Sequence, residues 1–304
     1  MTSGPGLVPS RRGAASQRLG GSSRSAGGRA REQFHALRAL GEHELPERLT
    51  LADGRPYVLV RRFKHDFFAA TAQYARVDLS VEAWSPQADP HGMIVVKAGR
   101  VNDFLGLPMA WLGRYLTRHE VAHYRRFTDL PGVPGLTAVL AGETAFAHAY
   151  VPGRPLQKGD RPGAAFWSEL RGLLDRVHAA GCAYVDLNKR QNILLGEDGR
   201  PWLIDFQISY GPAGRLKGWP VLGWLAGLLE GWILRRLQDG DNYHFAKHKF
   251  RLCPELCTEQ ERRMATVPGF WIRLHRRLTQ PLQGFRRATL QRVLKAAGEQ
   301  KGPG

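Results

Sequence analysis

The chain has 304 residues, 43% hydrophobic and 10% aromatic, which allows two lobes or one large domain with a sizeable core and excludes a wholly disordered chain. Its formal net charge of +17 is uneven: residues 1–31 carry +6, residues 215–304 carry +10 and the stretch between them only +1. Basic ends suit phosphate-rich partners such as an anionic membrane surface, but no nucleic-acid module accompanies the charge and specific nucleic-acid binding is not expected.

Residues 1–31 are Gly, Ser, Ala and Arg with almost no large apolar side chain. Such a segment cannot offset its ordering entropy, so 1–35 is expected to be a disordered basic tail. The same composition fits an organellar transit peptide, a reading set below that of a plain tail. Cys182, Cys253 and Cys257 make an odd count with no signal peptide ahead of them, which points to reduced thiols in a cytosolic compartment.

Next, "RPYVLVRRF" at 55–63 predicts a strand, strand-like residues continue through "QYARVDLSVEAW", and "GMIVVKAGR" gives a short apolar strand ending at Lys97. The spacing of apolar residues from Met109 to Phe127 predicts a helix. "AVLAGETAFAHAYV" reads as two strands turning at Gly142, with "VPG" behind it as a hinge. Ala165 to Ala180 is an amphipathic helix stopped by Gly181. The stretch "YVDLNKRQNILLGEDGRPWLIDF", Tyr184 to Phe206, holds two short strands around a Gly-Glu-Asp-Gly turn, and sets Asp186, Asn192 and Asp205 beside apolar neighbours. Gly218 to Leu229 is a charge-free run too short to span a bilayer. A buried helix is expected there, with a helix lying in a membrane interface as the alternative, because Trp219, Trp224 and Trp232 precede Arg235 and Arg236.

Taken together, the order of elements and motifs resembles the protein-kinase-like superfamily. "YVDLNKRQN" resembles the catalytic loop of that superfamily and "IDFQ" its metal-binding Asp-Phe-Gly, 13 residues beyond Asn192. "RVHAAG" resembles the Leu-His-x-x-Gly ahead of the loop, Lys97 the strand lysine of Val-Ala-Ile-Lys, and Glu120 its ion-pair partner. The resemblance implies an α+β, bilobal protein-kinase-like fold, with a small β-rich N-lobe over 36–150 and a mainly helical C-lobe over 151–300. It implies ATP and Mg²⁺ as cofactors, Asp186 and Lys189 as catalytic residues, Asn192 and Asp205 as metal ligands, and Lys97, Glu120, Ala70 and Thr71 around the nucleotide. The chemistry needs these types: phosphoryl transfer requires neutralised phosphate charge, hard oxygen ligands suit Mg²⁺, and a carboxylate orients the acceptor hydroxyl and takes its proton.

The sequence departs from the pattern in places. Tyr184 and Val185 replace His and Arg, and one residue is inserted between Asp186 and Asn192, so the loop must bulge. Gln207 replaces the glycine of Asp-Phe-Gly, from which a fixed metal site is expected. No G-x-G-x-x-G precedes Lys97; Ala69, Ala70 and Thr71 in "KHDFFAATAQY" are small enough to let backbone amides approach phosphates. No Ala-Pro-Glu marks an activation segment. These departures are more similar to the small bacterial kinases of lipopolysaccharide core and Kdo sugars. That similarity implies a phosphorylated glycolipid acceptor and a cytoplasmic protein, peripheral at the inner face of the membrane. Serine/threonine protein phosphorylation and an inactive kinase-like scaffold are the alternatives.

That group also carries an Asp-x-x-His-x-x-Lys-His signature, matched by "DNYHFAKHKFR"; Asp241, His244 and Lys247 would orient an acceptor sugar or form a polar cluster at a helix end. In the same place His244, His248, Cys253 and Cys257 offer a closed zinc site, though their pairs stand closer than in zinc fingers. Cys182 reads as a small core residue.

Overall fold

The computed structural model describes residues 35, 37–77, 92–104, 106–211 and 220–266. Most of the expected basic tail, the strand-like residues 78–84 and the basic stretch beyond 266 lie outside the described residues. The chain is mixed α+β, and its described residues divide into two compact units. One holds residues 35–118 with Thr137–Tyr150; the other holds His119–Leu136 with residues 151–266.

The first unit is built on an antiparallel sheet in which β1 (Arg48–Thr50), β2 (Pro56–His65), β3 (Ala69–Arg76), β4 (Met93–Gly99), β5 (Leu136–Val139) and β6 (Ala145–Ala149) take the order β1-β2-β3-β4-β6-β5. Period-two alternation divides its faces. Ala70, Ala72 and Tyr74 of β3 join Ile94, Val96 and Ala98 of β4 in a core with Leu40, Leu45, Leu51 and Tyr57. On the opposite face, Thr71 stands directly across from Lys97, and Lys97 across from Phe146. Strand β4 is buried along its whole length, so it reads as a continuous apolar run broken by Lys97 alone.

Helix α1 (Ala110–Arg126) follows, with His123, Arg125 and Arg126 in its last turn, where positive charge suits the helix dipole. Gly113 lets its first turns approach the main chain after β4: a Cβ there would lie 1.9 Å from the Arg100 carbonyl oxygen. Arg100 itself is fully buried and donates to the Phe67 carbonyl at 3.0 Å and the Asp103 carbonyl at 3.0 Å. Its guanidinium carbon sits 4.1 Å from the centre of the Phe67 ring. The tip of the β2–β3 hairpin is thereby fastened by a buried, charged anchor.

The second unit contains a three-stranded antiparallel sheet, β7 (Gly153–Pro155), β8 (Ile193–Gly196) and β9 (Pro201–Leu203). Helix α2 (Ala164–Ala179) buries Phe166, Trp167, Leu170, Leu173, Leu174 and Val177, the helical stripe seen in its sequence. It stops where Gly181 takes φ +71 and returns its N–H to the His178 carbonyl at 2.9 Å. Helix α3 (Pro220–Leu252) runs 33 residues, and α4 (Glu259–Thr266) is the last described element. Most of the apolar run 218–229 lies outside the residues whose burial is described; at its described end Leu228 and Leu229 are 53% and 58% exposed rather than buried, as is Trp232 just beyond at 40%. Burial falls on the second half of α3, where Tyr243, Phe245, Ala246 and Leu252 lie in the core. Among the described residues no helix is long and apolar enough to cross a membrane.

Gly113→Ala forces the Cβ into backbone atoms of Arg100 that no rotamer change can move. The variant is expected to lose about 3 kcal/mol of stability, read as a lowered midpoint in urea unfolding.

Candidate active site

The candidate site grows from the segment between α2 and β8. Two consecutive 3-10 turns, Asp186–Asn188 and Arg190–Asn192, carry Asp186 and Asn192, with Lys189 at the joint between them. The Asp186 carboxylate is largely buried, and one oxygen of it accepts from Lys189 Nζ at 2.7 Å and from Asn192 Nδ2 at 2.9 Å. The Asn192 side chain thus turns its nitrogen to Asp186, which leaves its amide oxygen pointing elsewhere.

The β8–β9 hairpin brings the third residue in. Ile193 pairs with Leu203, and the Ile204 N–H donates to the Asn192 carbonyl at 3.1 Å, so Asn192 and Asp205 occupy the same end of the hairpin. Asp205 takes φ +65, a left-handed conformation costly for a residue with a Cβ. Its N–H donates to the Tyr124 hydroxyl at 3.4 Å. Burial pushes the Tyr124 phenol well above its usual value, and the nearby charges of Glu120 and Asp205 add to that rise. Glu120 of α1 is itself buried, one helical turn before Tyr124.

An aromatic cage fixes the next residue. Phe206 is fully buried, edge-on to Tyr184 at 5.2 Å and to Tyr124 at 5.3 Å, with Phe127 at 5.5 Å. The Tyr184 hydroxyl donates to the Ile204 carbonyl, and burial with the charges of Asp205 and Asp186 raises its phenol well above the usual range. Ser209 Oγ donates to the Tyr184 carbonyl at 3.0 Å, and Ala183 and Tyr210 exchange two backbone bonds of 2.8 Å.

Beneath the loop lies Asp241, in the middle of α3 and fully enclosed. Its carboxylate accepts the N–H of Tyr184 at 2.7 Å and of Val185 at 2.8 Å, and meets His178 Nε2 at 3.0 Å. Val185 sits at φ +68, a conformation a β-branched residue shuns, at a cost of about 1–3 kcal/mol. Seven residues on, on the same helix face, His248 Nε2 donates to the Leu187 carbonyl at 2.8 Å. Burial lowers the His248 imidazole to about 4, and the charges of Lys247, Arg190 and Arg251 add to the depression. The polar signature of α3 is therefore neither at a helix end nor, at Asp241 and His248, aimed at a substrate: these two side chains hold the loop that bears Asp186. Sequence reasoning missed this, although the seven-residue spacing put both on one face.

The zinc alternative is overturned. His248 Nε2 is engaged with Leu187, the Cys253 thiol with the Pro162 carbonyl at 3.3 Å, and the Cys257 thiol with the Cys253 carbonyl at 3.7 Å. Among the described residues no three His, Cys, Asp or Glu gather as metal ligands. Cys182 is fully buried, and burial pushes its thiol up, as suits an inert core residue.

In the first unit, the two small residues expected near a nucleotide part company. Thr71 shares its sheet face with Lys97, whereas the Ala70 side chain lies in the apolar core on the other face. Lys97 is buried within β4. The backbone amides at the hairpin tip are not open to phosphate as expected either: Asp66 Oδ1 accepts the N–H of Phe68 at 2.9 Å and of Ala69 at 3.0 Å.

Asp241→Asn places an amide N–H₂ against donors it cannot accept from. It is expected to cost about 3 kcal/mol in unfolding free energy and to loosen amide-exchange protection at Tyr184 and Val185. His248→Gln retains a donor for Leu187 and removes the titration. Because the folded imidazole lies near 4, below its unfolded 6.5, the unfolded chain takes the proton first, so stability is lost as pH falls from 6.5 towards 4. Relative to the variant, the native chain is expected to lose about 3 kcal/mol between pH 7 and pH 4, measured by urea unfolding across that range. No protein-family model matches the chain, and no curated protein matches it.

Proposed function

We propose that the chain is an ATP-dependent phosphotransferase of bilobal protein-kinase-like fold. It moves the γ-phosphate of ATP to a hydroxyl, with a sugar of lipopolysaccharide or another glycolipid as the acceptor. The observation that carries the reading is the convergence of Asp186, Asn192 and Asp205: one carboxylate held by an amide and an ammonium, and a second at the adjoining end of a hairpin.

The residues fit the chemistry. Asn192 turns its amide oxygen away from Asp186, and Asp205 adds a carboxylate, an all-oxygen pair of the kind that holds Mg²⁺ together with water and substrate phosphates. When bound, Mg²⁺ supplies positive charge to the phosphate chain. Asp186 accepts the proton of the acceptor hydroxyl as its oxygen bonds to the γ-phosphorus and the bond to the β-phosphate oxygen breaks. Lys189, with its side chain 57% exposed beyond Asp186, balances charge at the carboxylate and at the transferred group. Lys97 and Glu120 serve the nucleotide. The caged Phe206 supports a metal site that stays assembled. The protein acts in the cytoplasm, with its basic termini against the anionic inner face of the membrane.

The test incubates the full chain with γ-labelled ATP, Mg²⁺ and a bacterial envelope extract, followed by separation of glycolipid from protein. Label is expected in glycolipid and is expected to fall at least about a hundredfold in Asp186→Asn. Label in protein instead would make the acceptor a Ser/Thr hydroxyl. No label in either fraction, with ATP still bound, would favour a non-catalytic scaffold.

A further inference from the structure

The β2–β3 hairpin contains no glycine, and its tip is already committed. Asp66 takes the amides of Phe68 and Ala69, the Ala39 N–H donates to the Asp66 carbonyl at 2.8 Å, and Arg100 holds the Phe67 carbonyl. A phosphate approaching this tip therefore finds the amides of Phe68 and Ala69 already taken, and the Asp66 carboxylate would repel it. A grip on an anion over the described strands falls to side chains.

Such a set exists in the strand register. Lys64 of β2 is directly opposite Thr71 of β3, and Thr71 is directly opposite Lys97 of β4. Residues paired this way project from the same face, so two ammonium groups flank one hydroxyl in a line across three strands, with the outer Cα atoms about 10 Å apart. Thr71 Oγ1 is buried and has no hydrogen-bond partner, an exception to the rule that buried hydroxyls are satisfied. Lys64 is exposed, and its contact with Asp66 is a loose 3.6 Å surface pair of little energetic weight.

We propose that Lys64 and Thr71 join Lys97 in binding the phosphate chain of a nucleoside triphosphate, a side-chain grip in place of a backbone-amide cradle. The inference rests on the phosphotransferase reading and adds Lys64 and the Thr71 hydroxyl as determinants of triphosphate affinity. The phosphate oxygens accept from both ammonium groups and from the orphaned hydroxyl, which gains the partner it lacks.

Equilibrium dialysis of the full chain against ATP, ADP and adenosine tests it. Lys64→Ala and Thr71→Val are each expected to weaken ATP binding about tenfold and to leave adenosine unchanged, with Lys64→Arg retaining affinity. Thr71→Val removes an unsatisfied buried hydroxyl at constant shape, so the nucleotide-free variant is expected to melt no lower than the native chain, which separates lost binding from lost folding. ATP affinity unchanged in both Lys64→Ala and Thr71→Val would overturn the inference while leaving the phosphotransferase reading in place. A native chain that binds none of the three ligands would overturn both.

Discussion

The carboxylate of Asp241 is the constraint on which the second unit's candidate site depends. It accepts two adjacent backbone amides, those of Tyr184 and Val185, and a ring nitrogen of His178. Two consecutive N–H groups can aim at one carboxylate only if the chain bends sharply between them, and Val185 bends with a positive φ that its branched side chain resists. The cost of that bend is met by charge-assisted bonds in a site closed to water. Its result is the direction in which the next residue, Asp186, leaves the loop. His248 repeats the device two helical turns later by holding the Leu187 carbonyl. A single helix face thus sets both sides of the residue proposed to take the proton.

Around this clamp the remaining parts lock in sequence. Asp186 is held by Asn192, Asn192 meets Ile204 through the hairpin, and Asp205 rests its N–H on Tyr124. Phe206 then fills the space between Tyr124 and Tyr184. The links run through hydrogen bonds and packed rings, so a disturbance at one is carried to the next through packing. A glutamine at position 207 agrees with this arrangement, since no backbone swing is needed.

Much of this was legible in the sequence where the controlling physics is local. The turn Gly-Glu-Asp-Gly, the apolar strands beside it and the 13-residue step from Asn192 to Asp205 define a hairpin, and a hairpin of that length returns its ends to one place. The helix from Ala164 to Ala179 was readable from its stripe and its stopping glycine. What could not be read was set by distant partners. Asp241 lies 57 residues from Tyr184, and nothing local distinguishes a buried carboxylate that holds two amides from one facing solvent. Ala70 and Thr71 look interchangeable as small residues, yet strand alternation sends them to opposite faces, a matter of register. The apolar run ahead of Glu230 suggested burial by composition, but at its described end Leu228 and Leu229 face solvent, because what covers a helix face is decided by distant elements and not by the face itself.

The fastening of the hairpin tip at Phe67 has a kinetic consequence. A hairpin whose tip is held by a buried arginine and by ring contacts does not itself swing open and shut over a ligand. Whatever rests on the Lys64–Thr71–Lys97 line leaves at a rate governed by how strongly charge retains it. Such retention through an exposed ammonium weakens as salt shortens the reach of charge, so the residence time of an anion bound there would shorten as ionic strength rises.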